Sequence, residues 1–200
     1  ANSLLSASVD GWFTLPLTVP NYLAGFVGKP VLPLDAPEVS AAIERVQKRT
    51  DALLNCGGTH RPEWFHRKLG DILYEGCGVA RDEAGLLDAL TKVRELREEF
   101  WRDVKVVGTG NRLNQELEKA GRVADFIELG EVMILDALDR RESAGAHFRN
   151  EYATEAGEAK RNDGDWCAVS AWETRPDGTK VRHSEPLSFS LIDLQVRDYR

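Results

Sequence analysis

The most constraining feature of this 200-residue sequence is a long apolar stripe of helical period just past its middle. Apolar residues recur there at alternating steps of three and four, and only Glu131 interrupts them where an apolar residue is expected. The stripe consists of Leu113, Leu117, Ala120, Ala124, Ile127, Ile134 and Leu138. Such a pattern predicts a helix that buries one face against other helices.

Three further stripes precede it and indicate partner helices. One follows the capping sequence at residues 35–38, one runs from about Pro62 to Gly76, and one runs from Asp82 to Val104. Asn2 and Ser3 are good N-cap residues, so we also expect a first helix, ending near Pro16. The fold class is therefore mainly α, with an antiparallel bundle of three to four helices.

The pattern changes after Arg141. Residues 143–165 are rich in Gly, Ala and charge without a sustained period, which indicates an ordered loop or extended arm. Residues 167–172 and 181–183 then favour two strands joined by the turn at residues 176–178. We expect a small β-hairpin and an extended tail after the bundle.

Composition excludes several classes of function. The formal net charge of −7 argues against a nucleic-acid-binding surface. The most apolar stretch, residues 12–31, is broken by prolines and polar residues, so no direct membrane span is expected. The three cysteines, Cys56, Cys77 and Cys167, are odd in number and widely spaced, which is typical of free thiols in a reducing compartment such as the cytoplasm.

The sequence contains no complete catalytic or metal-binding motif of a familiar type. The sequence at residues 108–111 lacks the third glycine of a dinucleotide loop and lies between helices. Cys56, His60 and Cys77 contain no close ligand pair of the kind that zinc sites require. No recognised spacing combines a nucleophile with any of the four histidines, so we predict neither a catalytic residue nor a metal site in the chain.

Two segments remain as candidates. Residues 2–5 place free backbone N–H groups and the positive end of a helix dipole at the start of the chain, which suits an anion or electron-rich oxygen. Residues 141–149 concentrate two arginines, a glutamate and a histidine around a glycine at the exit of the bundle. The alternatives are an ordinary capped helix and a salt-bridged loop that locks the bundle to another part of the structure.

Both segments resemble motifs of the succinate dehydrogenase and fumarate reductase flavoproteins. Asn2–Leu5 is similar to the stretch after their Gly-Ala-Asn-Arg-Leu-Gly motif, and Arg141–Arg149 is similar to their Arg-Glu-Ser-Arg-Gly-Ala-His-x-Arg motif. Arg161–Trp166 resembles their Arg-Asp-Asp-Glu-x-Trp, and Arg197–Tyr199 resembles their terminal Arg-x-Tyr. The sequence departs from the pattern at Ala144, where the family has arginine, so we expect rearranged salt bridges in that loop.

The resemblance implies a flavoprotein that oxidises succinate with FAD and passes electrons through an iron–sulfur subunit to quinone in a cytochrome b-type membrane anchor. It also implies a peripheral position on the cytoplasmic side of the inner (plasma) membrane, held there by partner subunits. Residues 3–13 and 171–173 are most similar to the actinobacterial and Bacteroidetes type. The family's catalytic and substrate-binding residues would precede Ala1, so we interpret the chain as the C-terminal part of a longer subunit.

The same resemblance implies that Ser3 and Leu4, within the segment that also contains Asn2 and Leu5, would contact FAD. Arg141, Glu142, His147 and Arg149 lie where a long amphipathic helix ends and a glycine-bearing loop begins. From that position we predict that they form a structural lock between the bundle and the flavin domain. The implied domains are residues 1–28, the end of the FAD-binding domain with its last helix; residues 29–140, the bundle; and residues 141–200, the loop and β tail. An L-aspartate oxidase-like flavoprotein and a non-catalytic helical interaction module remain the alternatives, and the sequence leaves open whether succinate is oxidised or fumarate reduced.

Overall fold

The computed structural model describes residues 2–195, with the side chains of Asn2 and Ser3 left undescribed. The chain divides into two compact units, residues 1–46 and 47–200. The helices are α1 (Asn2–Val9), α2 (Leu15–Ala24), α3 (Pro37–Asn55), α4 (Pro62–Gly76), α5 (Glu83–Asp103), α6 (Gln115–Asp139) and α7 (Asp163–Trp166). The strands are β1 (Ala80–Arg81), β2 (Phe148–Arg149), β3 (Ala168–Thr174) and β4 (Lys180–Pro186).

The first unit begins with a longer helical stretch than the sequence predicts. We expected the first helix to end near Pro16, but a π-helical segment, Asp10–Thr14, joins α1 to α2 and the chain stays helical to Ala24. The prediction was wrong because a π turn widens the hydrogen-bond spacing just before the proline. Pro16 therefore falls in the first turn of α2, where a missing N–H costs little.

Apolar side chains of the first unit lie largely exposed. Leu4 is 80% exposed and Leu5 65% exposed, and the same holds along the rest of the unit. Other exposed large side chains include Trp12, Phe13, Leu17, Tyr22, Phe26, Val27, Val31, Leu32, Leu34, Ile43 and Val46. Exposed apolar side chains in such number are typical of a surface that another protein surface covers.

The second unit is built around a bundle of α4, α5 and α6. Phe65 and Lys68 of α4 meet Phe100 and Glu99 of α5, while Gly76 packs against Ala89, so these two helices are antiparallel. Helices α5 and α6 are antiparallel as well, because Arg94 pairs with Glu131 whereas Arg97, later in α5, pairs with the earlier Glu128. The predicted antiparallel bundle is confirmed.

The bundle core consists of the apolar stripes seen in the sequence. It includes Phe65, Leu69, Leu86, Leu90, Val93, Leu96, Phe100, Ala120, Val123, Ala124, Ile127, Ile134 and Ala137, and Leu53 of α3 joins it. Leu113 does not, because Asn114 caps α6 through hydrogen bonds from the backbone N–H groups of Glu116 and Leu117. Leu113 thus lies before the helix and is 96% exposed, so its place in the stripe was predicted wrongly.

Glu131, the one interruption of the stripe, is buried between helices. It is only 3% exposed, and its carboxylate accepts hydrogen bonds from both Arg94, at 2.7 Å, and Arg97. Proximity of these guanidinium groups lowers the pKa of Glu131 although burial alone would raise it. A charged residue can therefore occupy an apolar position of the stripe because two arginines of α5 pair with its carboxylate.

The chain after α6 forms the predicted loop and hairpin. β2 pairs in parallel with β1, and β3 pairs antiparallel with β4 from Ala168↔Pro186 to Thr174↔Lys180. The turn between β3 and β4 depends on Gly178, whose φ of 85° suits glycine. Within residues 2–195 no helix is long and apolar enough to cross a membrane.

Candidate functional site

The largest buried polar residue at the exit of the bundle is Arg149, which is 2% exposed. One Nη donates hydrogen bonds to the carbonyl oxygens of Ala137 and Leu138, at 2.8 and 3.3 Å, in the last turn of α6. Its Nε donates to Glu151, at 3.1 Å. A buried cation therefore caps the negative end of the longest helix of the bundle.

Glu151, the partner of Arg149, also bonds to the first turn of α5. Its other carboxylate oxygen accepts a hydrogen bond, at 2.5 Å, from the backbone N–H of Glu83 in the first turn of α5. Burial would raise the pKa of Glu151, but the Glu83 N–H and the Arg149 guanidinium together lower it. The pair Arg149–Glu151 thus connects the end of α6 to the beginning of α5 with charges of the favourable sign at both helix ends.

Glu142 is held by a different arginine from the one in the motif. Its carboxylate pairs with Arg140, at 2.8 and 2.9 Å, and also accepts a hydrogen bond from the backbone N–H of Asn162, at 2.8 Å. Arg140 in turn donates to the carbonyl oxygen of Trp166, at 2.9 Å. These bonds fasten the loop after α6 to the segment that contains α7.

Ser143 lies at the centre of the loop and is fully buried. Its hydroxyl donates to the carbonyl oxygen of Arg149, at 3.1 Å, and accepts from the Arg149 N–H, at 2.8 Å. Its own N–H donates to the carbonyl oxygen of Lys160, at 2.9 Å. Sequence reasoning did not single out Ser143 or Arg140, since only the folded loop shows which polar residues of the motif turn inward.

His147 sits half-buried between two arginines. Its Nδ1 accepts a hydrogen bond from Arg81, at 3.0 Å, and its Nε2–H donates to the carbonyl oxygen of Arg140, at 3.1 Å. Burial and the neighbouring guanidinium groups of Arg81, Arg140 and Arg149 lower the pKa of His147. A neutral imidazole with its proton on Nε2 satisfies both hydrogen bonds.

Arg141, the first residue of the motif, differs from its neighbours. It is exposed, and within residues 2–195 its side chain makes no hydrogen bond or ion pair. It lines an open hollow of about 560 Å³ with Asp139, Tyr152, Asn162, Asp165, Trp166 and Arg182. The structure therefore brings Glu142, His147 and Arg149 into one network and leaves Arg141 on the surface.

The β-hairpin is attached to α6 mainly through polar contacts. The indole N–H of Trp172 donates to Asp136, at 2.8 Å, Lys180 pairs with Glu128, at 2.9 Å, and Arg182 pairs with Asp139, at 2.6 Å. Two guanidinium groups, those of Arg140 and Arg182, also lie over the ring of Trp166. Acidic residues along one side of α6 thus determine where the hairpin packs.

The candidate flavin-side residues lie at the start of α1. No acidic side chain occupies the first turn, and Leu4 and Leu5 are exposed. The first turn of α1 therefore contributes no carboxylate of its own to the positive end of the helix dipole. Residues 197–199, which resemble the terminal family motif, lie outside the described residues.

His60 belongs to a separate polar cluster. Its Nδ1 bonds to Asp103, at 2.5 Å, and the backbone N–H and hydroxyl of Thr59 donate to the same carboxylate. These bonds, with that from His60 the largest contribution, lower the pKa of Asp103 to about 2. A Cβ at Gly58 would lie 2.0 Å from the Asp103 carbonyl carbon, so this turn requires glycine.

Comparison with known proteins identifies the family of the chain. Residues 66–199 match the family described as the fumarate reductase flavoprotein C-terminal domain. The chain is 26% identical over all its 200 residues to the succinate dehydrogenase flavoprotein subunit of Bacillus subtilis, covering 33% of that protein. It is 28% identical over 114 residues to the fumarate reductase flavoprotein subunit of Haemophilus influenzae, with 57% of this chain and 19% of that one covered.

The fold is also that of a solved relative. A variant of the Escherichia coli quinol fumarate reductase superposes with a TM-score of 0.68 at 24% identity, covering 80% of this chain and 26% of the other. The family match and the fold define a C-terminal helical domain of the flavoprotein class. The chain belongs to the fumarate reductase flavoprotein C-terminal family, and it spans about a third or less of the length of these relatives.

Proposed function

We propose that the chain forms the C-terminal part of the flavoprotein subunit of a succinate dehydrogenase, which oxidises succinate to fumarate and delivers the electrons to quinone. The observation that carries the proposal is the similarity to the Bacillus subtilis subunit along the whole chain. The partners in this proposal are the remainder of the flavoprotein subunit, an iron–sulfur subunit and a cytochrome b-type membrane anchor. The subunit would lie on the cytoplasmic side of the membrane through these partners.

In this proposal the start of α1 faces the flavin. FAD, when bound, accepts the hydride of succinate and collects negative charge on its reduced ring. The backbone N–H groups of residues 2–5 would hold the electron-rich edge of that ring, and the helix dipole would stabilise its charge. Exposed Leu4 and Leu5 would provide apolar contact beside it.

The network after α6 would act as the lock between the bundle and the flavin domain. Glu142, His147 and Arg149 hold the loop rigid through the contacts described above. Arg141 would supply the outward contact, because its guanidinium is exposed and makes no hydrogen bond or ion pair within the described chain. A cation displayed on a rigid loop suits docking by charge-assisted hydrogen bonds.

Activity of the intact subunit tests the proposed reaction. Succinate-dependent reduction of an electron-accepting dye is expected from the subunit assembled with FAD, and none from residues 1–200 alone with FAD supplied. Oxidation of L-aspartate in place of succinate would instead identify an L-aspartate oxidase. Succinate oxidation by residues 1–200 alone would overturn the assignment of the catalytic residues to another part of the protein.

A substitution at the start of α1 tests the flavin-side role. Ser3→Leu in the intact subunit should lower FAD occupancy or shift the flavin potential downward, because a bulky side chain disturbs the helix start. Ser8→Leu adds the same bulk one turn further on, where the Ser8 hydroxyl bonds only to the Leu4 carbonyl oxygen, and should leave both quantities close to wild type. Unchanged occupancy, potential and turnover in Ser3→Leu would contradict the assignment.

A further inference from the structure

His147 forms a hydrogen bond with Arg81 that neither the proposed activity nor the lock requires. The histidine joins two distant parts of the chain, since Arg81 lies in β1 and His147 immediately precedes β2. β1 and β2 are only two residues each and pair as Ala80↔Phe148 and Arg81↔Arg149. So short a parallel pair depends on side-chain contacts to stay closed.

Both ring nitrogens of His147 form hydrogen bonds that only the neutral imidazole can make together. Nδ1 accepts a hydrogen bond from the Arg81 guanidinium, while Nε2 donates to the Arg140 carbonyl oxygen. A protonated imidazole carries N–H groups at both positions and cannot accept from an arginine. Protonation would therefore replace one hydrogen bond by two like charges 3.0 Å apart.

The charged groups around His147 offer no compensation. Arg81 faces it from β1, Arg140 from the loop after α6, and Arg149 from β2. Three carboxylates nearby in sequence are engaged elsewhere: Asp82 with the N–H of Gly85, Glu142 with Arg140 and Asn162, and Glu151 with Arg149 and Glu83. The side chain of Glu83 is exposed at the start of α5. Among the described residues no carboxylate bonds to the imidazole.

We propose that Arg81 and His147 form an acid-sensitive latch: the β1–β2 pair is closed when His147 is neutral and opens locally when it is protonated. Opening would release the loop at residues 144–149 from β1, which directly precedes α5. This loop also contains the contacts of Arg149 with α6, so the latch would make the attachment of the loop dependent on pH. The proposal concerns the described domain and holds whichever substrate the intact protein uses.

Hydrogen exchange of the whole protein at pH 7.5 and pH 5.5, corrected for intrinsic exchange rates, tests the latch. Wild-type amides at residues 80–83 and 147–150 should lose about fivefold in protection at the lower pH, the change expected for one lost hydrogen bond. His147→Gln keeps an acceptor and a donor but cannot titrate, so its protection there should not change with pH. His183→Gln, at an exposed histidine paired with Glu173, should behave as wild type.

Two results would overturn the proposal. One is wild-type protection that does not change between the two pH values, and the other is an equal loss in wild type and His147→Gln. If His147→Gln fails to fold, NMR titration of the wild-type imidazole decides the question. A pKa below the ordinary value of the residue supports the latch, whereas a pKa at or above that value contradicts it.

Discussion

The bundle and the loop that follows it are both buried, but they are held by opposite means. The interior of α4, α5 and α6 is apolar, with Phe65, Phe100 and Ile127 among its fully buried side chains. The interior of the loop is polar, with Arg149, Glu142 and Ser143 equally inaccessible. The core gains stability from non-directional burial, whereas the loop depends on individual hydrogen bonds that have no substitute once they are lost.

The largest expected effect is at Arg149. Arg149→Ala should destabilise the protein by about 3–5 kcal/mol, because it removes charged hydrogen bonds from the last turn of α6 and leaves buried carbonyl groups without donors. Arg149→Met retains much of the volume and should recover only the packing part of this loss. Chemical denaturation of both variants measures the difference, with the exposed pair residue Arg122 as control: Arg122→Ala should change stability by less than about 1 kcal/mol.

A substitution in the apolar core gives the matching measurement for the bundle. Leu96→Ala should cost about 3 kcal/mol through lost burial and the cavity left behind, since Leu96 is almost fully buried. Leu129→Ala on the exposed face of α6 is the control and should cost far less. If Leu96→Met, which nearly conserves volume, were as harmful as Leu96→Ala, the core would depend on specific contacts as the loop does, and the comparison would fail.

Glu131 sharpens the comparison because it is a charged residue inside the apolar stripe. Its partners Arg94 and Arg97 are both partly exposed and can turn to water. Glu131→Leu should therefore alter stability by no more than about 1 kcal/mol in either direction, because the two arginines that lose their partner are hydrated and not left as buried charges. A loss similar to that of Arg149→Ala would show that the bundle needs its ion pairs as much as the loop does.

The smallest effect is expected at Asp103, and it should disappear in acid. Its pKa in the folded protein is about 2, below the ordinary 3.8, because His60 and Thr59 donate hydrogen bonds to the carboxylate. The contribution of these bonds is present above pH 3.8 and declines as the pH falls toward 2. Asp103→Asn should thus be less stable than wild type at pH 6 and approach it at pH 3 in urea titrations; an equal difference at both pH values would rule out this linkage.

Sequence periodicity predicted the bundle well because burial of apolar faces is encoded locally. The bounds of α4, α5 and α6 differ from the stripes by only a few residues, and Leu113 was misplaced because the cap at Asn114 starts the helix after it. The predicted helix end near Pro16 was wrong for a similar reason. Proline usually ends a helix, but the sequence does not reveal the π segment that places Pro16 in the first turn of the next helix. Local rules fail where a neighbouring residue changes the backbone spacing.

The polar loop was less predictable because its contacts join residues far apart in sequence. The motif drew attention to Glu142, His147 and Arg149, but the pairing of Glu142 with Arg140 and of His147 with Arg81 depends on tertiary structure. Arg141 and Arg140 are adjacent in sequence and have the same side chain, yet only Arg140 turns toward Glu142. A charge pattern in the sequence predicts that such a network exists, but only the folded structure shows which residues pair with each other.

The most direct test of a structural rather than catalytic role for the loop is His147→Ala in the intact, FAD-containing subunit. Turnover per bound flavin and its pH dependence would be measured beside flavin content and assembly. If the role is structural, turnover per flavin should stay within about twofold of wild type, with any loss confined to assembly or flavin retention. A fully assembled, fully flavin-loaded variant with turnover reduced by about a hundredfold or more and an altered pH–rate profile would instead identify His147 as an acid–base catalyst.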